Sequence, residues 1–479
     1  MPTFLVARRA LLPDPAAGCT IGPARVGVHG GRVVSVEPGG AAQPGDEDLG
    51  DLLLAPAFVD VHTHLALCGL RGVDGTAAGN VVEELYFRVE REMTDDDIYA
   101  LAAVGAQDCL LHGTGFVSDH YYGGPAVARA MVDTGLSGLV GCTLQDLAGP
   151  GAHAADAALA QTDALRQDTR LAAAGVAATL APHATDTVSD ALWRRIARLA
   201  EAWQLPVHCH VAQSPEEVAR AQARCGDTPL GLLRRLGVLD AGPAWALVHA
   251  LFTTPADRAA LDRQRHLLVA CPHSQAWFGF PAPIHRWQAD GLRWAVATDC
   301  AASNDSMSVN KELRAVGLLR ATRVTHGPEL TAWESAPGGP AHDRVHAIRL
   351  AQREVLPDPE RPGLALTRVG AVPGSLHPTT RAGAIEPGRL ANFALWDLDH
   401  PALWPGVDPL RGLAAGDTNA ALARMMVAGR WLSPLGGHAA LAWTPAWREA
   451  RQEANARLRS LLTRAGYPEL ADRLGPARR

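Results

Sequence analysis

Lysine is almost absent from this chain. Lys311 is the only one among 44 basic residues in a sequence of 479, and arginine supplies the rest. With the heavy use of Ala, Gly and Pro, this reads mainly as genome bias. Long apolar runs are missing too: hydrophobic residues make up 47%, yet no segment is long enough to cross a bilayer. The start, MPTFLVARRALLPDP, carries no signal-peptide cleavage pattern. No basic stretch stands out and the net charge is −6, which makes nucleic acid and anionic membranes poor partners. The eight cysteines, at 19, 68, 109, 142, 209, 225, 271 and 300, form no CxxC pair. In a chain of this size they read as reduced, buried thiols, and a cytoplasmic location is expected. There is no internal repeat and no low-complexity linker.

What is present is a long alternation of apolar strands and helical stretches from about 55 to 375, the pattern of βα units on a parallel sheet. LLLAPAFVDVH, FVSDHYY, VAATLAPHATDT, VHCHVAQ, ALVHA, LLVACPHSQ and RWAVATD read as strands. MTDDDIYALAAVGAQDCLLHGTG and SDALWRRIARLAEAWQ read as helices. About eight such units favour a closed barrel. Short alternating strands at the start (FLVARRALL, RVGVHGG, RVVSVEPGG) and near the end (GAIEPGRLANFALWDL, ARMMVAGRWL) suggest a second domain built from both termini. The expected organisation is a (β/α)₈ barrel over 55–375, a small discontinuous β-sandwich from 1–54 and 376–440, and a helical tail over 441–479. A short helical piece, HDRVHAIRLAQREV, is expected in the Pro- and Gly-rich stretch before the last segment. The tail's arginine-rich face reads as solvated surface or an oligomer contact.

Five residues stand at the C-terminal ends of these strands: His62, His64, His210, His249 and Asp299. In a parallel barrel those ends open on one face, so the side chains would converge. His62 and His64 are two apart and share a strand face, and His208 stands two before His210. Three or four imidazoles with a carboxylate suit a borderline divalent ion, zinc first and iron second. A carboxylate at Asp299 can both bind an ion and take a proton from water, while His249 can orient the water or stabilise developing charge. The set points to hydrolysis.

The motifs PAFVDVHTHLALCGLRG, HGTGFVSD, APHATDT, VHCHVAQSPEEV, ALVHA, VACPHSQAWFGF, VATDCAASNDSM and GAIEPGRLANFALWD run in order through nearly the whole chain. In them the chain resembles the amidohydrolase superfamily, in the branch of cytosine, guanine and S-adenosylhomocysteine deaminases and triazine hydrolases. The resemblance implies that His62, His64, His210 and Asp299 bind one metal, that His249 is catalytic and that His183 faces the substrate. It also implies homo-oligomers. Binuclear relatives bridge two metals through a carbamylated lysine on an earlier barrel strand; Lys311 lies after the last one, so a single ion is expected.

One position departs from the pattern. Deaminases of this branch carry a glutamate three residues after the ligand histidine, and here Gln213 stands there. An amide donates a hydrogen bond but supplies no proton, and general acid catalysis is worth ~10²–10⁴-fold. Glu216 and Glu217 read instead as a helix start, with Ser214 as N-cap, Pro215 at N1 and Glu217 at N3 closing a capping box. Asp119 or Glu84 could reach in from other loops. Three readings follow in order: an aminohydrolase releasing ammonia from an N-heterocycle such as a purine, pterin, pyrimidine or triazine; a hydrolase of a halide, thioether or amide bond; and a metal-binding subunit without catalysis. Asp299, His249 and Gln213 are the expected catalytic residues. His183, Gln213, Trp277, His273 and Tyr121 are the expected substrate contacts. Phe87, Tyr122 and Phe278 could also stack on a planar ring, and Gln275 could hydrogen-bond its heteroatoms. His112, His120, His266, His285 and His377 are expected to be structural.

Overall fold

The structure, a computed structural model, describes residues 1–73, 79–325, 361–433 and 437–474, with 340 and 343. The chain opens with β1 (Thr3–Asp14), β2 (Gly18–His29), β3 (Arg32–Pro38), β4 (Glu47–Asp48) and β5 (Leu53–Pro56). The barrel strands follow: β6 (Phe58–Thr63), β7 (Thr114–Tyr121), β8 (Ser137–Leu144), β9 (Val176–Pro182), β10 (Val207–Val211), β11 (Trp245–His249), β12 (His266–Ala270) and β13 (Trp294–Val296). Last come β14 (Phe393–Trp396), β15 (Leu422–Val427) and β16 (Arg430–Trp431). The expected piece HDRVHAIRLAQREV lies outside the described residues except for Asp343.

β6 to β13 pair in sequence order as one parallel eight-stranded sheet. Every residue of β6, β7, β8, β10, β11 and β12 is buried, which is why these strands read as apolar runs instead of alternating ones. Val59, Val61, Phe116, Leu139, Val248, Leu267 and Val269 fill the interior. The first and last strands meet through a parallel bridge between Thr63 and Asp299, with His64 N–H donating to Asp299 O (2.9 Å) and Asp299 N–H to His62 O (3.1 Å).

The terminal strands form one mixed sheet in the order β16-β15-β14-β5-β1-β2-β3, with β4 beside β1. β5 joins the two ends of the chain, running parallel to β1 and antiparallel to β14. Asn392, 2% exposed, fastens this sheet to the barrel. Its side-chain amide donates to Gly115 O (3.0 Å) and Ser137 Oγ (2.7 Å), and its backbone carbonyl accepts Ala57 N–H (2.9 Å). Every polar atom of that buried side chain is used, since its Oδ1 takes Ala428 N–H.

The tail is a helix, Pro445–Arg464, and it is an integral part of the molecule. Its Leu458, Leu461 and Leu462 are buried, and it lies along the helix Asp95–Leu111. That helix begins with a Thr94–Asp97 capping box, and Asp97 also receives Arg464 (2.6 Å) and Arg457 (3.5 Å). Part of the arginine-rich face therefore meets acid within the same chain. Among the described residues no helix is long and apolar enough to cross a membrane.

Two carboxylates are buried in the barrel wall. Asp60 accepts both the backbone N–H and the hydroxyl of Thr298, tying β6 to the end of β13. Asp119 accepts Leu65 N–H (2.7 Å), and its other oxygen has no partner among the described residues. Burial pushes the Asp119 carboxyl up to about 7, with the Leu65 N–H opposing and Asp60 adding to the rise.

Two outcomes test this architecture. Leu461→Ala removes a fully buried side chain and should cost about 2–5 kcal/mol in chemical denaturation, whereas an unchanged midpoint would make the tail an appendage. Because Asp119 binds its proton more tightly folded than unfolded, its contribution to stability is complete below the unfolded value near 3.8 and is lost as pH rises through about 7. Melting curves of chelator-treated Asp119→Asn should gain on those of the parent chain between acid and pH 8. A gap that does not change with pH counts against this.

Candidate active site

Four strands deliver the site to one end of the barrel: His62 from β6 and His64 just beyond it, His208 and His210 from β10, His249 from β11, and Asp299 just beyond β13. The register of β6 against β7 shifts between Asp60 and Thr63, so the local irregularity lies in the stretch that holds His62. His249 and Asp299 take left-handed backbone conformations, with φ of 71° and 65°. Residues with side chains rarely occupy that region, and the neighbouring strand pairing holds them there.

His62 Nε2 lies 3.3 Å and His64 Nε2 3.5 Å from Asp299 Oδ1. The His210 ring is centred 4.8 Å from that of His62 and 5.4 Å from that of His64, and His249 stacks 5.6 Å from His210. The donor atoms of His62, His64 and His210 all lie within 4.8 Å of one another, as do those of His62, His249 and Asp299. All five expected residues meet.

Their tautomers are set from behind. His64 Nδ1 faces His120 O at 2.5 Å and His210 Nδ1 faces His183 O at 3.0 Å. Each ring therefore donates Nδ1–H to a carbonyl and leaves its Nε2 lone pair free. His62 Nδ1 instead meets His208 Nε2 at 2.8 Å. Burial pushes the imidazoles of His62 and His183 down to about 3, and lowers those of His64, His208, His210 and His249 as well. Neutral imidazole is the form that binds a metal. Burial alone would raise the Asp299 carboxyl, but the His62 hydrogen bond and the surrounding imidazoles outweigh it and hold the group below its ordinary value. Three neutral nitrogens and one carboxylate oxygen are a donor set that fits a single divalent ion.

The cluster forms the floor of a cavity of about 400 Å³. Tyr121, His183 and Gln213 line it as expected, and so do Phe87, Tyr122, Gln275 and Phe278. His183 is steadied by Thr187 Oγ1 (2.9 Å). Trp277 and His273 do not line it. On the short helix Pro272–Trp277, positions 273, 276 and 277 face solvent while 274 and 275 are buried. Trp277 is 67% exposed, and His273 bonds to Glu312 instead.

Several residues at the site were not marked in advance. His208 carried a signal, its spacing of two from His210. His120, expected to be structural, lines the cavity with both ring nitrogens hydrogen-bonded, to Thr143 Oγ1 and Pro182 O. Ser274 donates to Asp299 Oδ2 (2.7 Å), and no pattern around CPHSQ announced it. Glu90 lines the cavity, and burial pushes its carboxyl up to about 8. His112, His266, His285 and His377 lie away from the cavity lining.

Of the four acids considered for the missing glutamate, only Glu216 lines the cavity, and it is exposed. Asp119 is committed to Leu65 N–H and Glu84 to Gly79 N–H (3.1 Å), and neither lines the cavity. Ser214 caps the helix Pro215–Cys225 by accepting Glu217 N–H, as expected. The Glu217 carboxylate does not close a capping box, however. It accepts Gln213 N–H (2.8 Å) and the Thr185 hydroxyl, which draws it toward the loop after β9. Glu216 lines the cavity, and Asp299 is the one carboxylate among the described residues in contact with the imidazoles.

A relative from Moorella thermoacetica, named 5-methylthioadenosine/S-adenosylhomocysteine deaminase, is 27% identical over 82% of this chain and 86% of its own. An adenosine deaminase from Xanthomonas campestris with bound zinc shares the fold, with a TM-score of 0.75, 23% identity, and coverage of 96% and 98% of the two chains. So does an atrazine chlorohydrolase from Arthrobacter aurescens complexed with zinc, with a TM-score of 0.73, 16% identity, and coverage of 95% and 100%. Residues 53–331 match the model of the Amidohydrolase family, more than half of the chain and the whole span of the barrel strands. The chain belongs to the amidohydrolase family.

Proposed function

We propose that the protein is a metal-dependent aminohydrolase that replaces an amino group on a nitrogen heterocycle by oxygen and releases ammonia. The aminopurine ring of a nucleoside is the first candidate substrate. The observation that carries this reading is the meeting of four imidazoles and Asp299 on the floor of a cavity walled by aromatic rings. The names of the relatives support the purine class.

His62, His64, His210 and Asp299 would hold one divalent ion, with zinc the first choice. When bound, such an ion supplies Lewis acidity that brings the pKa of a water down to roughly 7. Asp299 accepts the proton that the attacking water gives up and passes it to the departing nitrogen, so the C–N bond breaks with release of ammonia and the water oxygen stays on the ring as a hydroxyl, which tautomerises to the ring carbonyl as its proton moves to the neighbouring ring nitrogen. His249, beside Asp299 and neutral, hydrogen-bonds the oxygen as it adds to the ring carbon. Gln213 donates its amide N–H to the neighbouring ring nitrogen but does not protonate it. Phe87, Tyr122 and Phe278 offer faces for stacking. Glu90, protonated at neutral pH, offers both a donor and an acceptor to a polar substituent.

Gln213 favours a second reading. A halide, thioether or amide leaving group needs no ring protonation, and the same cluster would serve with Asp299 as sole proton carrier.

Metal analysis with a screen of aminated and chlorinated purines, pterins, pyrimidines and triazines separates the two. Ammonia release from an aminopurine is expected; chloride or thiol release without ammonia supports the second reading. A chain that folds yet binds no metal would leave only a binding role. Gln213→Glu gives a further check. It should change ammonia release by less than about tenfold, and a gain of ~10²-fold or more assigns the native substrate to another leaving group.

A further inference from the structure

We infer that the turn His273-Ser274-Gln275 is the positioning element of this site: Ser274 fixes which oxygen of Asp299 faces the imidazoles, and Gln275 fixes the ring of His249. This rests on the roles proposed above for Asp299 and His249.

Topology puts the turn where it can serve both. β12 is hydrogen-bonded to β11 on one side and to β13 on the other, so the residues that follow it lie between the ends carrying His249 and Asp299. The short helix Pro272–Trp277 starts there and turns Ser274 and Gln275 inward, 0% and 1% exposed. Ser274 Oγ donates to Asp299 Oδ2 at 2.7 Å, and Gln275 Nε2 lies 3.3 Å from His249 Nδ1.

A carboxylate held by one oxygen can exchange its two oxygens by rotating. Asp299 is held by both: Oδ1 faces His62 and His64, and Oδ2 is taken by Ser274. The oxygen available to an ion and the oxygen available to a proton are thereby different atoms. A serine hydroxyl is donor and acceptor, so it can turn to accept once Oδ2 carries the proton. Gln275, as a donor to Nδ1, leaves the imidazole proton on Nε2, which makes His249 a hydrogen-bond donor toward the reacting oxygen. Its own Oε1 is buried without a partner among the described residues, a cost that proteins keep where the group has a task.

The turn is itself anchored. His273 N–H and Nδ1 both meet the buried carboxylate of Glu312, each at 3.0 Å. Asn304 shares that carboxylate (3.3 Å) and also donates to Thr298 O. Thr298 precedes Asp299, which returns to Ser274. The circuit His273–Glu312–Asn304–Thr298–Asp299–Ser274 closes on itself, so the carboxylate and its positioning hydroxyl are located by one frame.

The test compares Ser274→Thr with Ser274→Val, two side chains of nearly equal size that differ in the hydroxyl, and adds Gln275→Leu. Zinc affinity is read by competition with a chromophoric chelator, melting temperature on metal-free protein, and kcat and KM on the best substrate. S274V should lose about 10–100-fold in zinc affinity and in kcat relative to S274T. The metal-free melting temperatures of the two should agree. Q275L should keep its zinc affinity and lose kcat at nearly constant KM. Equal zinc affinity in S274T and S274V overturns the inference, and so does a melting difference that accounts for the loss. If the parent chain binds zinc but turns over none of the screened compounds, the functional reading fails, while the zinc competition still decides the role of Ser274.

Discussion

Between the first and last barrel strands, the peptide groups of His62 and His64 hydrogen-bond to that of Asp299 on both sides of one bridge. Asp60, two residues before His62, adds a side-chain clamp on Thr298, one residue before Asp299. The barrel therefore closes through the backbone of the residues whose side chains would hold the ion. A parallel barrel has no free edge only when this seam forms. Once it forms, three of the donor side chains are already on one floor. Folding and site assembly are the same event at this seam, and a substitution that opens it loses both.

The price of that placement is visible in the backbone and in the electrostatics. His249 and Asp299 sit at positive φ because the chain must turn out of the barrel at the level of the site. The imidazoles are stripped of water, which would be ruinous for charged rings and suits neutral ones. Each nitrogen that turns away from the centre is then occupied: His64 and His210 by carbonyls, His62 by His208, His249 by Gln275. What remains inward is a set of neutral donors around one carboxylate, a arrangement short of positive charge until a cation enters. Burial here costs stability in the empty protein and is recovered on binding, the usual linkage of a site preformed by its fold.

Much of this was legible in the sequence because the barrel imposes its own periodicity. Strands buried on both faces read as apolar runs, and a polar residue that ends such a run must lie near the open rim. That is how His62, His64, His210, His249 and Asp299 could be picked out together. The helix after β12 was less legible. Over six residues the helical phase decides whether 273 and 277 or 274 and 275 point inward, and a segment that short carries too few apolar positions to fix its phase. His273 and Trp277 were accordingly expected inside and lie outside, while Ser274 went unmarked. Glu217 shows a related limit. Its spacing from Ser214 gave the helix cap correctly, but Thr185, 32 residues away, redirects the carboxylate to Gln213 N–H, and no local pattern contains that partner.

That redirection bears on the one departure from the family's pattern. The backbone of Gln213 is tied down by a carboxylate that burial, together with Asp186 nearby, pushes up to about 7. A second carboxyl at position 213 would stand beside Glu217, which already accepts the backbone N–H of that residue, and on the same cavity as Asp299. Carboxylates gathered in so dry a place cannot all ionise, so some of them would hold protons at neutral pH. The amide avoids that crowding. It keeps a hydrogen-bond donor in the cavity and leaves Asp299 as the only group touching the imidazoles whose charge can change during a turnover. In the proposed reaction, proton transfer would then run through a single carboxylate, the one whose two oxygens are individually held.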